Sequence, residues 1–199
     1  MDMLVVSGFL GSGKTTLILA TAGKYIETTK QKVVIIGNDF GQVGIDGKIM
    51  QKYGLEVQEM PSGCICCTLG SDFLETVSTV AEKFSPDLIL VEPTGIADPA
   101  NIADTMALYR GPKLNRLRIF VVVDAVRFPL IMKALAIPLG NQLRAADVVL
   151  INKVDEASEA QVLEVEASLR GLGVTKLLVR CSATASINLD AVVEALVKA

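Results

Sequence analysis

The sequence of 199 residues contains no histidine and no tryptophan, and only 5% of its residues are aromatic. Without histidine, the chain can supply neither a histidine-based catalytic triad nor an imidazole ligand for a metal ion. The scarcity of aromatic side chains argues against a surface on which single-stranded bases stack. Nineteen basic residues stand against 22 acidic ones. This balance lacks the basic surplus that nucleic-acid binding requires, so we expect no nucleic-acid partner.

Long hydrophobic runs are also missing. The longest uninterrupted apolar runs, such as residues 119–123, have about five residues, whereas a membrane-spanning helix needs about 20. The N-terminus lacks the basic region and cleavage site of a secretion signal. We therefore expect a cytoplasmic protein with no membrane partner. The length of the chain predicts a single domain over residues 1–199.

Short runs of Val, Ile and Leu alternate with helical patterns along the whole chain. We predict strands at 3–7, 32–36, 88–92, 119–124, 148–152 and 176–180. Helices are predicted at 14–27, 71–84, 99–109, 156–170 and 189–197. Apolar residues at consecutive strand positions indicate burial on both faces, which is typical of parallel sheets. The fold class is therefore α/β, with three layers: a mostly parallel central sheet and helices on both faces.

Residues 8–15 match the pattern G-x-x-x-x-G-K-[ST] between a predicted strand and a predicted helix, the context that this motif requires. Its backbone N–H groups and the helix N-terminus favour phosphate oxygens. Lys14 is predicted to reach the β- and γ-phosphates, and the Thr15 hydroxyl to hold Mg²⁺. The fold is thus predicted to be that of a P-loop NTPase. The predicted phosphate-binding residues are Gly11, Ser12, Gly13, Lys14, Thr15 and Thr16.

A second motif, N-K-x-D at 152–155, follows a buried run. The Asp155 carboxylate is suited to accept the ring N–H and the exocyclic amine of guanine, which adenine cannot match. Lys153 would lie over the base and Asn152 would brace the loop. Alone, this motif is weak, because in most proteins such a pattern is only an exposed polar turn. Combined with the phosphate loop, it predicts GTP and GDP as ligands.

A second base loop is predicted at 181–184, where the last predicted strand ends. Backbone N–H groups of Ser182 and Ala183 are placed there to meet the guanine carbonyl. Cys181, at the start of the same segment, is predicted to be a core residue.

Two carboxylates end buried runs and compete for the role of Mg²⁺ ligand. Glu92 begins Glu-Pro-Thr-Gly, and Gly95 in that segment is placed to give its N–H to the γ-phosphate. Asp124 ends another run but is also well placed to cap the following helix. We favour Glu92 for the Mg²⁺ ion or for its water.

Three of the four cysteines, Cys64, Cys66 and Cys67, form a C-x-C-C cluster. Three thiolates suit Zn²⁺ or Co²⁺, and without histidine any further ligand must be a carboxylate, water or a residue of another chain. Two alternatives remain: small buried hydrophobic residues, or a redox-active thiol pair.

Together these features resemble the CobW-type GTPases, a P-loop family of metallochaperones. The resemblance rests on six segments in order: GFLGSGKTT at 8–16, NDFGQVGID at 38–46, GCICC at 63–67, EPTGIADP at 92–99, VVDAVRF at 122–128 and NKVD at 152–155. It implies GTP hydrolysis coupled to the handling of Zn²⁺ or Co²⁺. It also implies a first switch at about 37–46 and a second at about 92–101.

The chain departs from the family pattern in three ways. Where relatives read E-N-E-F-G-E in the first switch, residues 37–42 read G-N-D-F-G-Q, so two carboxylates are missing and one is shortened. The histidine-rich segment of many members is absent. The chain ends directly after the last predicted helix, 189–197, so we expect no additional C-terminal domain.

These observations lead to two main hypotheses. In the first, the protein is a slow GTPase in which Lys14, Glu92 and Asp39 act at the nucleotide and its Mg²⁺, and the nucleotide state controls metal delivery to a client metalloenzyme. Slow turnover is expected because no arginine is obviously placed as a finger. In the second, the cysteine cluster is structural and the protein is a nucleotide-gated chaperone of a cobalamin- or metal-dependent enzyme. Because the chain is rich in apolar residues, association into a homodimer is a further hypothesis. A small-molecule kinase explains neither N-K-x-D nor C-x-C-C.

Overall fold

The computed structural model describes residues 1–37, 55–59 and 71–198. Across these residues seven strands form one sheet, in which all the paired strands are parallel. The strands are β1 (Asp2–Ser7), β2 (Val33–Gly37), β3 (Glu56–Glu59), β4 (Leu88–Glu92), β5 (Arg116–Asp124), β6 (Val148–Asn152) and β7 (Leu177–Arg180). Their order in the sheet is β3-β2-β4-β1-β5-β6-β7.

Helices cover both faces of this sheet. They are α1 (Lys14–Thr29), α2 (Ser71–Phe84), α3 (Pro99–Met106), α4 (Phe128–Ala134), α5 (Ala136–Ala145), α6 (Glu159–Gly171) and α7 (Leu189–Lys198). Buried side chains of α1 and α7 pack on one face, and buried side chains of α2 to α6 pack on the other. The predicted three-layer α/β architecture is therefore confirmed.

The central strands explain why the sequence shows continuous apolar runs. Every residue of β2, β4 and β6 is buried. Successive side chains point to opposite faces, so Met3 and Val5 of β1 join one core and Leu4 and Val6 join the other. Each fully buried aliphatic side chain contributes roughly 1.5–3 kcal/mol of transfer free energy. The two cores hold the strand ends in fixed positions.

The structure contains elements that the sequence did not predict. Strand β3 reads Glu-Val-Gln-Glu and lies at the edge of the sheet, where an apolar run is not needed. Helices α4 and α5 each carry a proline in the first turn, Pro129 and Pro138, which is normally a sign of helix breaking. Proline is tolerated there because the first N–H groups of a helix have no intrahelical partner.

Two helix boundaries differ from the predicted ones by three residues. Helix α3 ends at Met106, three residues before the predicted end. Helix α6 begins at Glu159, because the Ser158 hydroxyl accepts from the Gln161 N–H in a capping box.

The carboxyl ends of the strands create the place for a ligand. From β1 the sheet extends in both directions, with β4, β2 and β3 on one side and β5, β6 and β7 on the other. In open α/β sheets, ligands bind outside the carboxyl ends of the strands at such a reversal of strand order. Within the described residues, no helix combines the length and apolarity that crossing a bilayer demands.

Candidate functional site

The phosphate loop lies between the end of β1 and the start of α1. Helix α1 begins at Lys14, and no side chain caps its N-terminus, where Gly13 precedes it. The first N–H groups of a helix lack intrahelical partners and carry the positive end of the helix dipole. The loop therefore presents an N-terminus suited to an anion, as the sequence predicted.

Lys14, Thr15 and Glu92 meet at the base of this loop. The Thr15 hydroxyl donates to Glu92 Oε1 at 2.7 Å, and Lys14 Nζ lies 3.9 Å from the same oxygen. Lys14 Nζ also lies 3.5 Å from the carbonyl oxygen of Phe9. Lys14 and Glu92 are both buried, with 6% and 9% of their surface exposed. The topology thus brings together three residues that the sequence assigned to phosphate and Mg²⁺.

The loop after β4 packs directly on the phosphate loop. A Cβ added to Gly95 would lie 2.4 Å from the backbone nitrogen of Leu10, so only glycine fits here. The buried Gln142 of α5 holds this loop from the other side, since its Nε2 donates to the carbonyl oxygens of Gly95 and Ala97 at 3.1 and 3.2 Å. Sequence reasoning missed Gln142, because α5 was not predicted and no motif surrounds it.

Asn152, at the end of β6, joins the two base loops to the phosphate loop. Its Nδ2 donates to the carbonyl oxygen of Ser12 at 2.8 Å, and its Oδ1 accepts from the Ala183 N–H at 3.1 Å. The Ser182 N–H donates to the carbonyl oxygen of Ile187. Contact of Ser182 or Ala183 with a guanine carbonyl stays a prediction, and it requires these N–H groups to share or exchange their partners.

The remaining base-loop residues lie in the turn after β6. Lys153 adopts a left-handed conformation, with φ of 65°. Its Nζ lies 2.8 Å from Asp124 Oδ2. Asp155 is exposed in the same turn. The predicted contacts of Lys153 and Asp155 with a base are not tested by this arrangement.

Asp124 ends β5 and is almost completely buried, with 1% of its side chain exposed. Its Oδ1 accepts from the N–H groups of Val126 and Arg127, so it forms the turn that leads into α4. Burial acts to raise the pKa of Asp124, but hydrogen bonds from Lys153 and Arg127 outweigh it and hold the pKa below its ordinary value. Asp124 is therefore an ionised partner of two cations.

These loops enclose a cavity of about 770 Å³. Its lining includes Thr15, Glu92, Gly95, Lys153, Glu156 and Thr184. Residues of the phosphate loop, of the loop after β4, of the turn after β6 and of the segment after β7 thus face one space of the size that a small-molecule ligand needs.

The predicted transition-metal site is outside the described residues. Cys64, Cys66 and Cys67 fall there, as do Asp39 and the segment 38–46 of the first switch. Among the residues that the structure does describe, no group of three or more Cys, Asp or Glu side chains is arranged to hold a metal ion.

Cys181 is a core residue, as predicted, and its surface is fully buried. Burial raises the pKa of its thiol to about 12. At pH 8 only roughly one molecule in 10,000 would carry the thiolate, which is the reactive form. We therefore expect alkylating reagents to leave Cys181 unmodified in the native protein and to modify it after denaturation. Mass spectrometry of the tryptic peptide 181–198 measures this, and rapid native labelling would contradict it.

Comparison with known proteins adds independent evidence. Residues 2–176 match a family model described as CobW/HypB/UreG, nucleotide-binding domain. The zinc chaperone YeiR of Escherichia coli is 34% identical over 157 residues, which is 77% of this chain and 47% of that protein. The zinc-regulated GTPase metalloprotein activator 1 of Dictyostelium discoideum is 28% identical over 220 residues, or 90% of this chain and 45% of that protein. The chain thus spans about half the length of these relatives.

Solved structures show the same fold. The hydrogenase maturation factor HypB of Archaeoglobus fulgidus superposes with a TM-score of 0.66 at 20% identity, covering 98% of this chain and 88% of that one. At this identity the similarity concerns the fold alone.

Proposed function

Because the chain belongs to the CobW/HypB/UreG family of nucleotide-binding domains, we propose that it binds GTP with Mg²⁺ and hydrolyses it to GDP. We further propose that the nucleotide state controls the binding or delivery of Zn²⁺ or Co²⁺ to a client. This is the family that the sequence motifs resemble. We therefore assign the roles of the family motifs to the matching residues of this chain, one residue at a time.

One observation carries the nucleotide part of this proposal. A buried lysine, a threonine hydroxyl and a buried glutamate converge at an uncapped helix N-terminus, with Thr15 and Glu92 2.7 Å apart and Lys14 beside them. Lys14 is placed to neutralise charge on the β- and γ-phosphates. Fixed charges of this kind stabilise phosphoryl transfer because they need no rearrangement as the reaction proceeds.

The donor set also fits a magnesium ion. Mg²⁺ prefers oxygen ligands and is held in proteins by one or two side chains together with phosphate oxygens and water. The Thr15 hydroxyl and the Glu92 carboxylate supply such oxygens from adjacent positions. When bound, the ion would neutralise charge on the phosphates. Asp39 is proposed to assist at the ion or at the attacking water, and Gly95 to donate its N–H to the γ-phosphate.

Guanine selection is assigned to the two base loops. Asn152 braces the loop against Ser12, which supports the proposal that the base is held at a fixed distance from the phosphates. Asp155 is proposed to read the guanine edge and Lys153 to cover its face.

The transition-metal part rests on the C-x-C-C cluster and on what the relatives are called. Cys64, Cys66 and Cys67 lie between the two switches in sequence. Two relatives are described as a zinc chaperone and a zinc-regulated GTPase activator. We propose that γ-phosphate loss alters the switches and thereby the geometry of the thiolates.

The proposed partners are a client metalloenzyme or a cobalamin-dependent protein in the cytoplasm, and a second copy of the chain. Leu10 and Ile96 support a protein partner at the mouth of the cavity, because they are 79% and 70% exposed there. Apolar side chains at this position would be covered or uncovered as the nearby loops respond to nucleotide.

Metal analysis tests the coupling. We expect the protein with a non-hydrolysable GTP analogue to bind Zn²⁺ or Co²⁺ with sub-micromolar affinity, and the GDP form to bind differently. Cys66→Ser should weaken metal binding by at least about tenfold, since a thiolate ligand is lost. The measurement is metal content after desalting, together with titration in both nucleotide states.

Cys181→Ala is the matched control, because Cys181 lies in the core and outside the cluster. Unchanged metal content in Cys66→Ser would contradict the proposed site. One inert Zn²⁺ that ignores the nucleotide would instead favour the alternative function, a nucleotide-gated chaperone with a structural cysteine cluster.

A further inference from the structure

Asp124 occupies the one strand end that lies between the phosphate loop and the base loop. Strand β5 pairs with β1, which leads into the phosphate loop, and with β6, which leads into the base loop. In this register Asp124 stands opposite Asn152. A side chain at this position is within reach of both loops.

The carboxylate of Asp124 uses both oxygens. Oδ1 accepts from two backbone N–H groups of the following turn at 3.0 and 3.1 Å. Oδ2 accepts from Arg127 Nε and from Lys153 Nζ, each at 2.8 Å. Charge-assisted hydrogen bonds of this length are stronger than those between neutral groups.

Arg127 carries this anchor to the phosphate loop. Its Nη2 donates to the carbonyl oxygen of Leu10 at 2.7 Å. Its guanidinium also covers Gly11, where an added Cβ would lie 2.8 Å from Nη2. The planar fork of arginine suits this task because it can bind a carboxylate with one nitrogen and a carbonyl with another.

Lys153 carries the anchor to the base loop. Its side chain is 25% exposed and lines the nucleotide cavity, while its ammonium group is held at Asp124. Holding the tip of a flexible side chain fixes the path of its aliphatic stem, which is the part that can lie against a base.

We propose that Asp124 and Arg127 are positioning residues that lock the phosphate loop and the base loop to each other. The chain Leu10–Arg127–Asp124–Lys153 acts as a clamp that presets the distance between the phosphate-binding and base-binding groups. A ligand that contacts both loops then binds without ordering them itself, which raises its affinity. This inference rests on the proposed function and adds two residues to it.

A positioning role for Asp124 can be distinguished from a role as Mg²⁺ ligand. Four donors already surround its carboxylate, and an ion there would displace the Arg127 and Lys153 bonds. The two roles predict different consequences for the Mg²⁺ concentration dependence of activity.

The test compares ligands that engage one loop with a ligand that engages both. Asp124→Asn places an amide nitrogen or an uncharged oxygen opposite the two cationic donors, Arg127 and Lys153. Arg127→Gln removes the hydrogen bond to the carbonyl oxygen of Leu10, because the glutamine side chain is too short to make it. We expect each variant to bind GDP about tenfold more weakly, mainly through faster dissociation. Competition by guanosine alone and by inorganic pyrophosphate alone should change less than about twofold. Arg127→Lys should recover part of the affinity.

Two further measurements sharpen the outcome. The double variant should bind GDP no more weakly than the worse single variant, since both changes break one clamp. Asp2→Asn and Arg116→Gln are matched controls, because they break an Asp–Arg pair far from both loops. That pair joins the first residue of β1 to the first residue of β5, the end of β5 opposite to Asp124. We expect them to leave GDP binding unchanged.

Several results would overturn the clamp. The first is a wild-type affinity for GDP in both variants. The second is an equal loss of affinity for guanosine, pyrophosphate and GDP together with a lowered melting temperature, which would indicate a general loss of stability. The third is a changed Mg²⁺ concentration for half-maximal activity in Asp124→Asn, which would indicate a Mg²⁺ ligand. Wild-type protein that bound no guanine nucleotide would contradict the proposed function itself. Failure of the clamp with intact wild-type binding would contradict this inference alone.

Discussion

Lys14→Ala is expected to reduce GTP hydrolysis to about 1% of the wild-type rate or less. Lys14 is the first residue of α1, directly after the phosphate loop, and its side chain is buried beside Glu92. Loss of one preorganised group that stabilises transition-state charge costs about 3–4 kcal/mol, or 100- to 1,000-fold in rate. Single-turnover release of phosphate from GTP measures the effect directly, independently of product release.

The control for this prediction lies on the same helix. Lys24 is half-exposed and pairs with Asp190 on α7, so Lys24→Ala removes an equal charge far from the phosphate loop. We expect it to hydrolyse GTP at the wild-type rate, because exposed ion pairs contribute little. Hydrolysis by Lys14→Ala at the wild-type rate would contradict the assignment of this loop to catalysis.

The sequence predicted the parts of this site that are local in the chain. The phosphate loop and N-K-x-D each place several functional groups within a few residues, and their strand and helix flanks set the local backbone. The parallel sheet then brings Glu92 to Thr15, although 77 positions separate them. Consecutive apolar residues in β4 predicted that strand, and so the carboxylate at its C-terminal end, Glu92, could be recognised.

The sequence did not predict the contacts that connect these parts. Gln142 holds the loop after β4 from helix α5, whose early proline hid it. Arg127 was not singled out, because no arginine in the sequence is obviously placed as a finger. Its position depends on the turn that Asp124 builds after β5, and on how that turn faces Leu10. Such contacts arise from the packing of separate loops and leave no pattern at short spacing.

The same difference applies to the base loop. Asn152, Lys153 and Asp155 were predicted as a unit, yet each has a different environment: one is buried, one is held by Asp124, and one is exposed. The neighbouring Glu156 lines the cavity. The identity of the carboxylate that reads the base is therefore a question that a substitution can decide.

Asp155→Asn is expected to change the nucleotide preference of the protein from GTP to xanthosine triphosphate. An aspartate accepts both the ring N–H and the exocyclic amine of guanine, whereas an asparagine offers one acceptor and one donor. Xanthine presents a carbonyl where guanine has the amine, so it matches asparagine and mismatches aspartate. Since an unpaired polar group at a binding site is costly, we expect GTP affinity to fall by about 100-fold and xanthosine triphosphate affinity to rise by a similar factor. Competition binding with both nucleotides measures the exchange.

Glu156→Gln is the matched control, since it removes the adjacent carboxylate from the same turn. If Asp155 reads the base, this variant keeps its preference for GTP, and Asp155→Asn alone reverses it. If Glu156→Gln reversed the preference and Asp155→Asn did not, the carboxylate that already lines the cavity would be the one that selects guanine. The turn after β6 would then present its residues one position later than the N-K-x-D motif predicts, and the rest of the site would be unchanged.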